Sequence, residues 1–331
     1  MQLQSSYIQQ EGIACTTIMP TRLIPDMVDD VRASLLNLPR SLSPKYFYDG
    51  RGSELFDQIC STPEYYPTRT ENLLLSGYAA DIIRKTTPDE ILEFGSGYSI
   101  KTRCLFDACQ QTAHNCSYAP FDVCEEVLIE SARRLSEEYE WLALKPLLGD
   151  YHGGLGNLPA TSGSRLFVFL GSTIGNFEQH DALAFIEEIY NVMRNGDHLL
   201  IGVDRVKESS VLHAAYNDAQ RITAEFNLNV LRVLNREMNA NFNIDDFTHS
   251  ATFNTDRERI EMRLVSNTDQ EVQINDLNES IRFDRGDDIL TEISQKYTHA
   301  GIEKMLNKAN FSIVDHYEDD KAYFSLVLAS K

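Results

Sequence analysis

Hydrophobic positions along the chain alternate between short continuous runs and stripes at helical spacing. The first run, Ile91-Leu92, closes at Gly95; Cys104, Leu105, Ala108 and Cys109 then recur with the period of a helix face. A second strand is predicted from Cys116 to Val123, carrying Phe121-Asp122 at its end, followed by a helix from Glu125 to Tyr139. A third strand is predicted over Ala143 to Leu148, stopping at Gly149-Asp150-Tyr151. Arg165-Leu-Phe-Val-Phe-Leu-Gly171 is the continuous apolar run expected of a parallel strand covered on both faces. Ile186, Ile189, Tyr190 and Met193 mark one helix face that Asn195-Gly196 ends, and His198 to Val203 supplies a fifth strand. The rhythm predicts a doubly wound α/β domain. Between Arg205 and Tyr297 it changes: a helical stretch to about Asn227 gives way to alternating segments such as Ile260-Glu-Met262-Arg-Leu264 and Ile289 to Ser294, an inserted α+β unit. From Thr298 a capped helix (Ile302, Met305, Leu306) leads to Phe311-Ser-Ile-Val and Tyr323-Phe-Ser-Leu-Val-Leu, which predict a terminal hairpin added to the parallel sheet.

A length of 331 residues fits two structural units, and 42% hydrophobic content allows a sizeable core. The formal net charge of −20 argues against nucleic acid as a partner, which requires a basic patch. The six cysteines have neither C-x-x-C spacing nor paired histidines, so reduced thiols and no metal site are expected. No apolar stretch approaches a membrane span, and the polar start MQLQSSYIQQ lacks the pattern of a secretory signal, making the cytoplasm the expected location.

Ligands of open α/β sheets lie at the carboxyl ends of the strands. The turn Glu93-Phe94-Gly95-Ser96-Gly97-Tyr98-Ser99-Ile100-Lys101 lies at such an end and lets the backbone approach a nucleotide-like ligand. Ile100 occupies the third glycine position of a dinucleotide fingerprint, which disfavours a dehydrogenase; S-adenosylmethionine, lacking a phosphate, asks less of this loop. Asp122 ends the second strand, where a carboxylate accepts hydrogen bonds from ribose hydroxyls, and Asp150 is placed to accept one from the adenine amino group. A terminal hairpin resembles class I methyltransferases, whose last strand enters antiparallel.

Two N-terminal segments, Lys45-Tyr-Phe-Tyr-Asp-Gly-Arg-Gly-Ser-Glu-Leu-Phe-Asp57 and Pro63-Glu-Tyr-Tyr-Pro-Thr-Arg69, resemble the histidine-specific Nα-methyltransferase family of ergothioneine biosynthesis. The likeness continues through Gly95-Ser-Gly97, Lys101-Thr-Arg, Gly171-Ser-Thr-Ile-Gly-Asn176-Phe177, Tyr216-Asn-Asp218, Ile260 to Leu264 and Thr291-Glu292-Ile293-Ser294. It implies a class I S-adenosylmethionine-dependent fold, a Rossmann-like doubly wound sheet with an antiparallel terminal strand, over 70–205 and 297–331. An α+β substrate domain is implied over 18–69 and 206–296. The implied reaction is threefold methylation of the α-amino group of L-histidine to hercynine, by a monomer. The resemblance also implies a cofactor set of Tyr65, Gly95, Lys101, Asp122, Asp150 and Tyr151, with Tyr65 shared with the amino acid. Asn176 and Tyr216 are implied as holders of the substrate carboxylate, Glu292 and Ser294 as readers of the imidazole, and Tyr48 as the tyrosine facing the α-amino group. Tyr98 and Ile100 in the loop, and Tyr151 in place of a common phenylalanine, depart from the family pattern.

The chemistry suits these residues. Glu292 and Ser294, two apart on a predicted strand, leave the same face. A carboxylate accepting from one ring N–H and a hydroxyl donating to the other nitrogen would read imidazole completely, and the carboxylate also favours the imidazolium form. Asn176 and Tyr216 offer neutral donors where an arginine clamp would be the stronger solution. Tyr48 is expected to orient the amine, since a phenol is poorly matched to act as a base at neutral pH. Tyr48, Tyr65 and Phe226 are candidates for a cation–π lining around the methylated ammonium, and Met262 for shaping the imidazole pocket. Competing readings are an N-methyltransferase for tyrosine or tryptophan and a nonenzymatic amino-acid sensor.

Overall fold

Arg165–Phe169 is buried at every position and pairs in parallel with Glu90–Phe94 on one side and His198–Asp204 on the other. Burying Leu166, Phe167 and Val168 contributes about 1.5–3 kcal/mol each, which makes this run the middle of the sheet. The structure, a computed structural model, describes residues 7–10 and 13–331. The polar start therefore lies largely outside the described residues.

The large sheet runs in the order Tyr7–Gln10, Ile13–Thr17, Leu147–Leu148, Ser117–Asp122, Glu90–Phe94, Arg165–Phe169, His198–Asp204, Phe324–Ser330, Ser312–Glu318. Phe324–Ser330 is antiparallel to both of its neighbours, so the last strand is inserted beside the fifth, as expected of a class I methyltransferase sheet. Strand order reverses at Glu90–Phe94, between Ser117–Asp122 and Arg165–Phe169, which opens a cleft directly above Gly95. Helices cover both faces, with one hydrophobic cluster around Phe94, Phe169 and Ile186 and another around Leu75, Phe106 and Tyr118.

Three elements differ from the sequence pattern. The third strand is two short pieces, Ala143–Leu144 and Leu147–Leu148, because Pro146 between them has no N–H to give to a ladder. The helical stretch after Arg205 is two helices, Ser209–Tyr216 and Ile222–Glu237. Asp218 starts the second by accepting from the backbone N–H groups of Ile222 and Thr223, each at 2.8 Å. Ile13–Thr17, too short to show a period, adds parallel to Leu147–Leu148, and Ile18 N–H continues the contact with Leu148 O at 2.8 Å.

A separate core, including Leu35, Phe47, Leu231 and Phe283, lies under an antiparallel sheet of Phe247–Asn254, Arg259–Ser266 and Asp288–Gln295. The hairpin Gln270–Ile274 and Glu279–Phe283, a separate two-stranded ladder, adds Val272 and Ile281 to that core beneath the three-stranded sheet. This sheet meets the large one at Gly175, on the turn Thr173–Asn176 that follows Arg165–Phe169. A Cβ at Gly175 would lie 2.8 Å from Gln295 O and 3.2 Å from Gln295 N, both unyielding backbone atoms. Gly175→Ala is therefore expected to destabilise the protein by about 1–3 kcal/mol in a chemical denaturation series. An unchanged midpoint would contradict this close approach.

Candidate functional site

Gly95 and Gly97 have φ of +64° and +50°, the left-handed conformation that favours glycine. Beneath them Glu93, 4% exposed, accepts from Thr102 Oγ1 at 2.5 Å and from the Tyr118 hydroxyl. Burial pushes the Glu93 carboxyl up to about 7 despite these donors. Asp122 Oδ2 accepts from Gly97 N–H at 2.9 Å and Oδ1 from Cys124 N–H at 3.1 Å, leaving a lone pair on each oxygen for a ligand. Asp150 Oδ1 accepts from His152 N–H at 2.8 Å; burial pushes this carboxyl up, but His152 outweighs it and holds it below its usual range. Tyr151 flanks Gly95 and packs on Phe169 and Phe185. Ser96 Oγ is buried without a hydrogen-bond partner among the described residues, an orphan that a polar ligand in this cradle would satisfy. The cradle thus fits an adenosyl ligand: carboxylates for hydroxyl and amino groups, and open backbone at the glycines.

Lys101 forms an ion pair with Glu71, a fully buried residue that also accepts from Gly171 N–H at 2.8 Å. Lys101 is thus held across the cleft against the end of Arg165–Phe169 rather than solvated.

Beside the cradle lies a small pocket walled by Phe56, Tyr65, Tyr216, Phe226, Met262 and Glu292 among others. Its aromatic rings form one edge-to-face set. Tyr48 meets Phe56 and Phe226, each at 5.7 Å between centroids, and Tyr65 meets Phe56 at 6.4 Å and Tyr216 at 6.2 Å. Tyr48 is 46% exposed as a whole residue, yet desolvation, with the negative charge of Glu292, raises its phenol well above the ordinary value. It stays protonated at neutral pH, a donor rather than a base. Met262 is paired across the strands with Glu292, and Ile260 with Ser294.

Glu292 stands in the pocket wall, and burial raises its carboxyl to about 7, opposed by the charge of Lys296. Ser294, 4% exposed, lies behind Tyr216, whose hydroxyl donates to Ser294 Oγ at 2.8 Å. Both hydroxyl oxygens accept from Lys296 Nζ, at 3.0 Å for Tyr216 and 2.8 Å for Ser294. Lys296 Nζ also pairs with Asp204 at 2.8 Å, and Asp204 in turn holds Lys207 and accepts from the Tyr66 hydroxyl at 2.8 Å. Burial alone would raise the Asp204 carboxyl, but the two ammonium groups hold it below its usual range.

Of the residues picked from the sequence, Tyr65, Tyr216 and Glu292 form the pocket wall, while Ser294 and Tyr48 adjoin it through Tyr216 and Phe56. Gly95, Asp122, Asp150, Tyr151 and Lys101 surround the glycine cradle. Asn176 ends the turn that Gly175 presses against Gln295. Phe56, Glu71, Asp204 and Lys296 join the site beyond those residues. Asp204 carries a sequence signal, being a polar residue that ends a parallel strand, and Lys296 lies two residues beyond Ser294 in the same alternation. Among the described residues, His299, His316 and Glu318 form a cluster with metal-binding potential, but Glu318 is already paired with Arg205 and none of the three lines the pocket. All six cysteines are free.

The family model described as histidine-specific methyltransferase, SAM-dependent, matches residues 27–331. The chain is 42% identical over 302 residues to the histidine N-alpha-methyltransferase of Mycobacterium tuberculosis, spanning 91% of this chain and 94% of that one. It is equally 42% identical over 300 residues to the protein of the same name from Mycolicibacterium smegmatis, covering 91% and 93%. An L-tryptophan methyltransferase of Psilocybe serbica is 26% identical over 316 residues, 87% of each chain. With a match running from Met27 to the last residue, over a sheet that carries a glycine cradle and an antiparallel last strand, the chain belongs to the histidine-specific, S-adenosylmethionine-dependent methyltransferase family.

Proposed function

We propose that the protein transfers methyl groups from S-adenosylmethionine to the α-amino group of L-histidine, three times, to give hercynine, a step of ergothioneine biosynthesis. The observation that carries this reading is the pairing of Glu292, an acceptor in the pocket wall, with the hydroxyls of Tyr216 and Ser294 beside it, both of which accept from Lys296 and so turn their own hydrogens away from the ammonium. An imidazole needs such an acceptor and donor together. An indole offers no ring acceptor and would strand the Ser294 proton, at a cost of about 1–3 kcal/mol, which favours histidine over tryptophan.

S-adenosylmethionine supplies an electrophilic methyl group to an uncharged amine, so the protein has chiefly to position and desolvate. Gly95, Lys101, Asp122, Asp150 and Tyr151 would hold the donor, with Tyr65 between donor and amino acid. Asn176 and Tyr216 would hold the substrate carboxylate. Tyr48, a protonated phenol, would accept from an amine N–H through its oxygen and so aim the nitrogen lone pair at the methyl group, while the surplus amine proton leaves to water. The rings of Tyr48, Phe56, Tyr65 and Phe226 offer faces to the ammonium that grows more hydrophobic with each transfer. No helix among the described residues is long and apolar enough to cross a membrane. The proposed working form is a monomer in the cytoplasm that needs neither metal nor nucleic acid. Residues 18–69 and 206–296 would form the substrate domain, and 70–205 with 297–331 the methyltransferase domain.

Incubation with S-adenosylmethionine and each amino acid separately should give trimethylated product, by mass spectrometry, from histidine alone; preferential methylation of tryptophan or tyrosine would contradict the reading. Glu292→Ala should lose histidine activity by about tenfold or more while keeping donor affinity, and unchanged histidine kinetics would remove the specificity argument. Asp122→Ala should weaken S-adenosylmethionine binding in calorimetry, and an unaltered affinity would refute the ribose assignment. Because the Glu292 carboxyl titrates higher in the folded chain than unfolded, it retains its proton longer on folding and lowers stability as pH rises from about 4.5 through about 7. Glu292→Gln should therefore stabilise the ligand-free protein above pH 7 relative to pH 5; a pH-independent difference in unfolding midpoint would contradict the buried carboxylate.

A further inference from the structure

Among the described residues, Cys109 and Cys116 alone of the cysteines place their sulfurs in contact, 3.7 Å apart. They face each other across the joint between the helix Arg103–Gln111 and the strand Ser117–Asp122, in the apolar cluster that holds Phe106 and Tyr118. Both thiols are buried, but their cover is thin. None of the residues from Gln111 to Asn115 is buried, and Ala113 turns the chain there with φ of +53°. A disulfide holds its sulfurs at about 2 Å, so the contact closes with a shift of less than about 2 Å. Cys60 and Cys104 have no such partner: each meets a hydroxyl instead, of Thr68 at 3.3 Å and of Ser76 at 3.4 Å.

We propose that Cys109 and Cys116 form a redox-active dithiol, a modification site at which a peroxide closes a reversible disulfide at the end of the sheet remote from the donor cradle. The contact gives the two sulfurs different roles. The hydrogen bond from Cys116 holds the Cys109 thiol below its ordinary value, outweighing burial, while the same contact and burial push Cys116 up. Cys109 is therefore the nucleophile, because the thiolate is the reactive form. Its thiolate attacks one peroxide oxygen: an S–O bond forms, the O–O bond breaks, and the departing hydroxide takes up a proton to leave as water. Cys116 then attacks the Cys109 sulfur: the S–S bond forms, the S–O bond breaks, and the Cys116 proton leaves with the hydroxide as a second water. Two thiols are oxidised and one peroxide is reduced. A sulfenic acid with a second thiol already 3.7 Å away is captured before it oxidises further, and a reducing dithiol reverses the step by exchange. Opening of the exposed turn over the pair admits the oxidant, such turns being where local opening costs least. The strand Ser117–Asp122 spans roughly 20 Å and carries Asp122 at its far end, so the disulfide braces the strand and the helix that follow from the cradle without entering the cleft.

The test treats the reduced full-length protein, still folded, with a small excess of hydrogen peroxide, then unfolds it in iodoacetamide and digests it with trypsin. Cleavage after Arg103 and Arg133 leaves Cys104, Cys109, Cys116 and Cys124 on one peptide, so the outer two serve as internal controls. Tandem mass spectrometry should find Cys104 and Cys124 alkylated but Cys109 and Cys116 joined and unalkylated, with no fragment ions from within 110–115 until dithiothreitol restores both thiols. The oxidised protein should unfold roughly 2–4 °C higher than the reduced one and bind S-adenosylmethionine within about twofold of it in calorimetry. In Cys116→Ser neither the cross-link nor the rise in midpoint should appear. Full alkylation of Cys109 and Cys116 after peroxide, or pairing of either with another cysteine, overturns the inference. Loss of donor binding on oxidation overturns the placement of the disulfide away from the cleft. Neither outcome depends on which amino acid is methylated, so the inference and the histidine reading stand or fall separately.

Discussion

The site is organised around one buried carboxylate shared by two ammonium groups. Asp204, 1% exposed, sits at the end of the fifth parallel strand and holds Lys296, Lys207 and the Tyr66 hydroxyl together. Such a cluster is costly to desolvate and stable only when complete, since removing one partner of a buried pair costs about 3–5 kcal/mol. Its members come from different parts of the chain: Tyr66 opens the long helix before the first sheet helix, Asp204 ends the fifth parallel strand, and Lys296 follows the strand that carries Glu292 and Ser294. The charge cluster therefore fixes the register between the methyltransferase sheet and the smaller antiparallel sheet, and Gly175 allows the backbones to touch there.

From that constraint the division of labour follows. The glycine cradle presents backbone and carboxylates; the pocket beside it presents rings, with Glu292 as the carboxylate in its wall. The raised Glu292 pKa reflects a carboxylate kept poorly solvated in the pocket wall, a stability cost that the proposed contact with a ligand N–H would offset. The raised phenol of Tyr48 points the same way, toward orientation and away from proton abstraction. Nothing in this arrangement requires a strong base. An amine that loses its proton to water before each transfer needs only a fixed direction and a dry, electron-rich surround.

The sheet was legible because parallel strands buried on both faces spell continuous apolar runs, as in 165–170, and because the late hairpin stood apart from the βα rhythm. Where local chemistry interrupted the rhythm the pattern blurred: Pro146 split one strand, and Asp218 started a second helix within an apparently continuous one. Glu292 and Ser294 could be paired from spacing alone, since a strand repeats every second residue. Glu71, Asp204 and Lys296 could not be recognised as a set. A lone acid or lysine in sequence reads as a solvated charge, and only tertiary packing brings each to its partner. The pocket's aromatic lining had the same limit, with Phe56 reached through a helix whose apolar face shows no sign of function.

The proposed polarity of the pocket, with Glu292 accepting and a hydroxyl donating, keeps the bound ring neutral against the pull of the carboxylate toward the imidazolium form. It is tested most directly by nitrogen-15 NMR of ring-labelled histidine bound to the protein with S-adenosylhomocysteine in the donor site. The account predicts two separate ring resonances, one of a protonated nitrogen facing Glu292 and one of an unprotonated nitrogen accepting from Ser294. A single averaged pair resembling free histidine, or two protonated nitrogens, would contradict it.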